Sequence, residues 1–311
     1  MSNQISYTID ELSKLLKVSK LTVYDLIKKG ELPAFRVGRQ MRVEASDLEN
    51  YKNNTKIGFK KTDINAPSLS IPKAIPFRPL IISGQDTALD ILSLHLEKTT
   101  ENYRPLRSYI GGLSGLMAMF REETDLVAIH LFDGETGEYN IPYIKKILTG
   151  FPILLVNLLY RTTGIYVKKG NPKKIQSWKD LIREDILIVN REKGSGARVL
   201  LDEQLQLNGL SRKKVRGYEK EETNHLVVAA MIANGEADAG IGIERISTMI
   251  DVDFIPMTNE RYDIVIINKL ENEKLIENLL STLRSHSFQK ELKTIGGYDL
   301  KETGTILYES P

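Results

Sequence analysis

A small α+β head, followed by a much larger α/β body, is the fold class that this 311-residue chain predicts. Three observations predict it. Two short amphipathic segments with helix-cap signals, then two strand-like runs about a glycine, fill residues 8–43. A polar, proline-containing stretch without periodicity covers 54–76. From Phe77 onward strand-like and helix-like segments alternate, as they do in layered α/β structures. The expected divisions are a head at 1–53, a linker at 54–76 and a body at 77–311.

The head is read in order. Thr8 and Glu11 have the spacing of a capping box, and Leu12, Leu15 and Leu16 follow at helical intervals. Lys17-Val18 breaks this helix, and Ser19 is a second N-cap. Val23, Leu26 and Ile27 line one face of the next helix, which Gly30 ends. Two short helices across a tight turn make a helix-turn-helix. The run AFRV-GRQ-MRV (34–43) reads as a hairpin, or wing, and Ser46-x-x-Glu49 as the cap of a third helix.

In a helix-turn-helix the early residues of the second helix meet base edges and phosphates. That nominates Ser19, Lys20, Thr22 and Tyr24 for contact with double-stranded DNA. A hairpin tip suits phosphate or minor-groove contact, which adds Arg36, Arg39, Gln40 and Arg42. The alternative for the basic residues is a solvated face. Charge favours the polyanion: residues 1–62 hold 12 Lys/Arg against 7 Asp/Glu, net +5, whereas 63–311 hold 31 against 34, net −3.

In the body, RPLIISG (78–84) is a strand ending in a small loop, followed by a helix through Leu89, Leu92 and Leu96. YIGGLSGLMAMF (109–120) is a glycine-rich turn into a helix, and DLVAIHLF (125–132) is a strand. ILIVNREKGSGARVLLDEQL (186–205) reads strand, loop, helix, and HLVVAAMIANGEADAGIGI (225–243) reads helix, glycine break, strand. Three loops share one logic: 83–87, 111–115 and 190–196 are small, Gly/Ser-containing and open a helix. A helix start presents unpaired N–H groups and partial positive charge, so it suits an anion. Small residues allow close backbone approach, and hydroxyls donate without fixed charge.

Other chemistries lack their residues. The absence of cysteine excludes disulfides, thiolate zinc and a cysteine nucleophile. Neither Gly194-Ser195-Gly196 nor Gly112-Leu113-Ser114-Gly115 has the spacing of a hydrolase elbow, and HExxH, Walker and GxGxxG patterns are missing. The expectation is a binder, not an enzyme, with no cofactor beyond a bound effector. The start MSNQISYTIDELS does not read as a signal peptide, and FPILLVNLLY (151–160) is too short to span a bilayer. A cytoplasmic protein without membrane contact is therefore expected.

Two resemblances sharpen these readings. The run S-x-x-TVY-x-LI-x-x-GELPA-x-RVGR, within about 45 residues of similarity, resembles the excisionase/MerR-like winged helix-turn-helix. The segments GGLSGL (111–116), AIHLFDGETGEYN (128–140), YRTTGIYVKKGNP (160–172), VNREKGSGARVLLDEQL (189–205), RGYEKEETNHLVVAAMIANGEADAGIGIE (216–244), ERYDIVI (260–266) and GGYD (296–299) resemble type II periplasmic solute-binding proteins. The branch is the one found fused in bacteria to helix-turn-helix or molybdenum-cofactor biosynthesis domains.

The second resemblance implies two α/β lobes joined by strands crossing near 160–168 and 256–266, with ligand between them. Lobe one is expected at about 77–160 and 264–311, and lobe two at about 165–258. Matching the motifs nominates Ser83, Gly84, Ser114 and Gly115 from lobe one and Arg161 at the crossover. From lobe two come Asn190, Arg191, Ser195, Arg198 and His225, and Tyr262 lies on the returning strand. His130 reads instead as a core hydrogen-bonding histidine. Molybdate or tungstate is the implied effector, as in similar transport receptors. The three arginines are a departure that leaves open a carboxylate, a phosphorylated compound or a pterin derivative. The implied whole is a ligand-sensing regulator of transcription, acting as a homodimer or higher homo-oligomer. A recombination factor is the remaining rival.

Overall fold

The computed structural model describes residues 6–38, 40–54, 78–100 and 102–310. These fall into two compact units, one within Met1–Ile71 and the other within Pro72–Pro311. Arg39 and most of the expected linker lie outside the described residues.

The first unit contains β1 (Ser6–Thr8), α1 (Ile9–Leu16), α2 (Lys20–Lys28), β2 (Phe35–Val37), β3 (Gln40–Glu44) and α3 (Ala45–Asn54). The capping box forms: Thr8 N–H donates to Glu11 Oε2 at 2.8 Å, and Glu11 N–H to Thr8 Oγ1 at 3.3 Å. Lys17 turns the chain with a φ of +54°, and Ser19 Oγ then accepts from Thr22 N–H at 3.2 Å. Ile9, Leu12, Val23, Leu32, Val43 and Leu48 close a small core. Two details differ from expectation. Three residues ahead of α1 pair with β3, giving a sheet ordered β1-β3-β2. Helix α3 starts at Ala45, because β3 runs directly into it, so Ser46 lies within the first turn instead of capping it.

The second unit begins with β4 (Arg78–Ser83), α4 (Thr87–Thr99), β5 (Tyr103–Ser108), α5 (Gly112–Phe120), β6 (Leu126–Ile129), α6 (Ile141–Ile147) and β7 (Ile153–Lys168). It continues with β8 (Ile188–Arg191), α7 (Gly196–Leu207), β9 (Glu221–Glu222), α8 (His225–Ala233), β10 (Ala239–Ile243) and α9 (Glu244–Ser247). Last come β11 (Val252–Ile267), α10 (Glu273–Arg284), α11 (His286–Ile295) and β12 (Ile306–Glu309).

Its strands are ordered β5-β4-β6-β11-β7-β10-β8-β9, with β12 beside β7. Strands β7 and β11 have 16 residues each and pair antiparallel over almost their whole length. At about 3.3 Å per residue each spans about 50 Å, enough to traverse two lobes. Residues 126–129 of β6 pair with 263–266 of β11, which anchors lobe one. Residues 239–243 of β10 pair with 163–167 of β7, which anchors lobe two. The stretch between, Tyr160–Thr162 opposite Asn259–Arg261, is the crossing.

Alternation along the strands supplies two apolar faces to lobe one. Leu126, Ala128, Leu154 and Val156 pack toward Leu89, Leu92 and Phe288, while Val127, Ile129, Ile153 and Leu155 pack toward Leu116 and Met119. Lobe two is likewise filled on both faces, by Ile165, Leu200 and Leu201 on one and Tyr166, Val228 and Ile232 on the other. Among the described residues no helix is long and apolar enough to cross a membrane.

Candidate functional site

Strand register at the crossing places Arg161 opposite Glu260. Arg161 Nε donates to Glu260 Oε1, and its Nη1 to Asp86 Oδ2. All three residues are at most 5% exposed. Asp86 also N-caps α4: its Oδ1 accepts from Ala88 N–H and from the Tyr298 hydroxyl, each at 2.7 Å. His130 Nδ1 lies 3.0 Å from Glu260 Oε2, and the Arg161 guanidinium sits 4.5 Å from the centre of the Tyr262 ring. Burial opposes ionisation of Glu260, but Arg161 and His130 outweigh it and hold the carboxyl well below its usual range. Burial likewise opposes a charged Arg161, and the Glu260 and Asp86 carboxylates reverse the sign and raise its pKa.

Asp86, His130, Arg161 and Tyr262 of this cluster line a cavity of about 20 Å³ together with Gly84, Gln85, Gly111, Gly112, Arg191, Ser195, Gly196, Ala197 and His225. Four helix starts converge on it: α4 behind Asp86, α5 behind Gly111, α7 behind Ser195 and α8 behind Asn224. First-turn N–H groups have no acceptor within their own helix, and each start carries partial positive charge. Some are met already: Arg198 N–H by Ser195 Oγ and Val227 N–H by Asn224 Oδ1 locally, and Leu113 N–H by Gly194 O of the other lobe. Gly112, Gly196 and Ala197, from the first turns of α5 and α7, line the cavity. Both carboxylates are bonded inside their own cluster, to the one Arg161 guanidinium, and the helix starts add positive field on the cavity side.

The lobes are closed on one another. Arg191 Nη2 donates to Gln85 Oε1, and Gln85 Nε2 to Glu192 Oε1 at 2.9 Å. Leu113 N–H donates to Gly194 O at 3.0 Å. Farther along, Glu203 accepts from Gly134 N–H at 3.0 Å and from the Tyr143 hydroxyl at 3.2 Å. Two glycines permit this approach. A Cβ on Gly111 would fall 2.6 Å from Gly194 O, and one on Gly196 would fall 2.4 Å from the His130 ring. One water needs about 10–15 Å³ of such space, so the closed cavity takes about one or two.

Six of the nominated ligand residues line this cavity: Gly84, Arg161, Arg191, Ser195, His225 and Tyr262. Gly84 has φ +139°, and a side chain there would strike Leu89 and the Tyr262 hydroxyl. Arg191 is held by Glu192 and by the carbonyls of Glu222 and Thr223. His225 Nδ1 is buried without a partner among the described residues. Burial, then the Arg191 and Arg161 charges, push its pKa well below 6.5 and keep the ring neutral.

Five nominated residues lie elsewhere. Ser83 bonds Thr124, away from the cavity. Ser114 faces Gly194 across the lobe contact, and Gly115 packs on Val127. Asn190 bonds Tyr218 O and Arg191 N–H. Arg198 turns away from the cavity, where its Nη1 donates to Arg191 O at 3.1 Å and its guanidinium stacks on Tyr218 at 4.0 Å. The sequence reading missed Gln85, Asp86 and Glu260 and favoured a core hydrogen bond over ligand contact for His130, which bonds Glu260 and also lines the cavity. The signals were present: Asp86 stands at a helix cap, and Glu260 opens ERYDIVI. A search for cations and hydroxyls passes over acids.

In the first unit, Ser19, Lys20, Thr22, Tyr24, Arg36 and Gln40 are exposed. Lys20 Nζ lies 2.8 Å from Asp10, a surface pair of small energetic weight. Arg42 is half-buried and donates to Ser6 Oγ at 3.3 Å. Arg39 lies outside the described residues.

Residues 93–284 match the family described as the PBP superfamily domain, and residues 6–56 match the helix-turn-helix domain. The chain is 51% identical to the uncharacterized protein YvgK of Bacillus subtilis (strain 168), over 100% of both chains. Over 112 residues, 36% of this chain and 99% of the other, it is 40% identical to an uncharacterized protein in the ferredoxin 2Fe-2S gene 5' region of Clostridium pasteurianum. Among solved structures, an ancestral amino acid-binding protein, described as a precursor of cyclohexadienyl dehydratase, aligns with a TM-score of 0.50. That alignment covers 70% of this chain and 94% of the other at 16% identity, a likeness of fold alone.

Proposed function

This chain belongs to the PBP superfamily and carries a helix-turn-helix domain at residues 6–56, and from that premise we propose that it is a transcription regulator whose DNA binding responds to a small anion held between its lobes. The observation that carries the reading is the convergence of four helix starts on one cavity between closing lobes. The arginines there are already engaged by carboxylates, so N–H groups and the Ser195 hydroxyl are the donors left to a ligand.

Tetraoxo anions, molybdate and tungstate first, suit such donors. A tetraoxo ion exceeds the space between the fully closed lobes, so the lobes close around it, to a slightly wider separation. A ligand shifts a conformational equilibrium only through differential affinity for its states, and lobe separation is the variable that this site controls. The reading includes a homo-oligomer, because helix-turn-helix operators commonly have two-fold symmetry.

The test has two arms. Calorimetric titration with molybdate, tungstate, sulfate and phosphate measures the site, and operator binding at fixed salt with and without the bound anion measures the response. Selective heat together with changed DNA affinity is expected. Heat without a change in DNA affinity sinks the regulatory reading, and no heat from any of the four sinks the oxyanion assignment.

A further inference from the structure

The cleft does not end at the inner cavity. Beside it lies a chamber of about 470 Å³, walled by Thr87, Asp90 and Tyr109 of lobe one and by Leu226, Arg245 and Ile246 of lobe two. Both spaces share Gln85, Asp86 and His225. Sites for organic ligands typically measure about 300–1,000 Å³. The chamber falls in that range, while the inner cavity takes about one or two waters.

Its walls carry two kinds of surface. Tyr109 and Leu226, 63% and 44% exposed, are large side chains that line it from lobe one and lobe two, with Arg107 over the Tyr109 ring at 5.0 Å. Arg245 is half-buried, and its Nη1 donates to the Tyr298 hydroxyl at 3.2 Å. Among the described residues no carboxylate pairs with it. The other arginines of the cleft differ: Arg107 is paired with Asp90, Arg161 with Asp86 and Glu260, and Arg191 with Glu192. A half-buried guanidinium without a counter-ion is electrostatically unfinished. It lies in the wall of a space of ligand size that Tyr109, Leu226 and Ile246 also line.

We propose that the outer chamber is a second subsite, which holds the body of an organic anion. Its aromatic or apolar body packs against Tyr109, Leu226 and Ile246, and a carboxylate or phosphate pairs with Arg245. The proposal rests on the reading of the cleft as a ligand site and narrows the effector from a bare ion to an amphipathic anion.

The test uses the full chain and four probes: phenyl phosphate against inorganic phosphate, and benzoate against acetate, each titrated calorimetrically. At least one aromatic anion is expected to bind about tenfold more tightly than its plain counterpart, the two pairs separating phosphate from carboxylate preference. Arg245→Gln should weaken that aromatic anion about tenfold, the scale of one charge-assisted hydrogen bond, and Arg245→Lys should recover part of it. Tyr109→Leu should reduce the aromatic preference, and thermal melting checks that each variant folds. Inorganic oxyanions that bind while neither aromatic anion is preferred would overturn this proposal and leave the inner site standing. Aromatic binding unchanged in Arg245→Gln would overturn it too. No binding by any probe or oxyanion would remove both readings.

Discussion

Arg161 sits where the long strands cross and answers two carboxylates at once, Asp86 from a loop of lobe one and Glu260 from the facing strand. Removing one side of a buried pair strands the other, at a cost of about 3–5 kcal/mol. Glu260→Gln keeps the shape and removes the charge, so its unfolding free energy should fall by that order, with a lower urea midpoint. A midpoint within error of the parent would mean that Asp86 alone satisfies Arg161. Acid sensitivity follows from the same neighbourhood. The pKa of His225 is lowered in the folded chain below its ordinary 6.5. The unfolded chain therefore takes up the proton first, and this contribution is present above pH 6.5 and is lost as pH falls below it. Glu260 is also lowered, from an ordinary 4.5, so its contribution is present above that pH and is lost further down. Stability should thus decline first below pH 6.5 and more steeply below 4.5. His225→Gln should flatten the first decline and spare the second, as measured by melting temperature across pH. An unchanged profile in that variant would assign the first decline to another group.

Helix starts are the elements that build this cleft, and α7 shows how tightly they are placed. Gly196 opens α7 against the His130 ring of lobe one, where a methyl group would lie 2.4 Å from that ring. Gly196→Ala should therefore hinder closure without disturbing either lobe core. The expected result is a loss of affinity of about tenfold or more for whichever anion the site binds, with a melting temperature close to the parent. Retained affinity would show that the ligand is held with the lobes well apart. Elements of this kind were legible in the sequence because caps are local: Thr8 and Ser19 cap the helices that their spacing announced. Strand β1 was not legible, since three residues carry no period and its pairing with β3 is a tertiary fact. The charged cluster was hidden for a related reason. Asp86 and Glu260 stand 75 and 99 residues from Arg161, and only the β7–β11 register and the fold of lobe one bring them together. Side-chain direction was the other blind spot. Ser83, Asn190 and Arg198 belong to the nominated loops and helix start, yet each turns to a protein partner, a choice made by packing that loop composition does not encode.

On the scale of the whole molecule, charge divides with the sequence: net +5 over residues 1–62 and −3 over 63–311. A polyanion is thus met by the part that holds the helix-turn-helix, and a small ligand by the part that holds the cleft. If the protein is a regulator, the two binding events share a coupling free energy, and that energy is reciprocal. Suppose that a saturating anion changes operator affinity by some factor, typically about 5–150-fold in coupled systems. Operator DNA at saturation must then change anion affinity by the same factor. Two titrations check this: DNA binding with and without anion, and calorimetry with and without DNA, both at one salt concentration because phosphate contacts make affinity salt-dependent. Gly196→Ala sharpens the test. It acts on lobe closure and lies outside the helix-turn-helix, so operator affinity without anion should stay within about twofold of the parent while the coupling factor shrinks toward one. Loss of anion-free DNA binding in this variant would place the cleft inside the DNA-binding machinery itself. Equal coupling in parent and variant would mean that lobe closure carries no signal and that the response travels by another route.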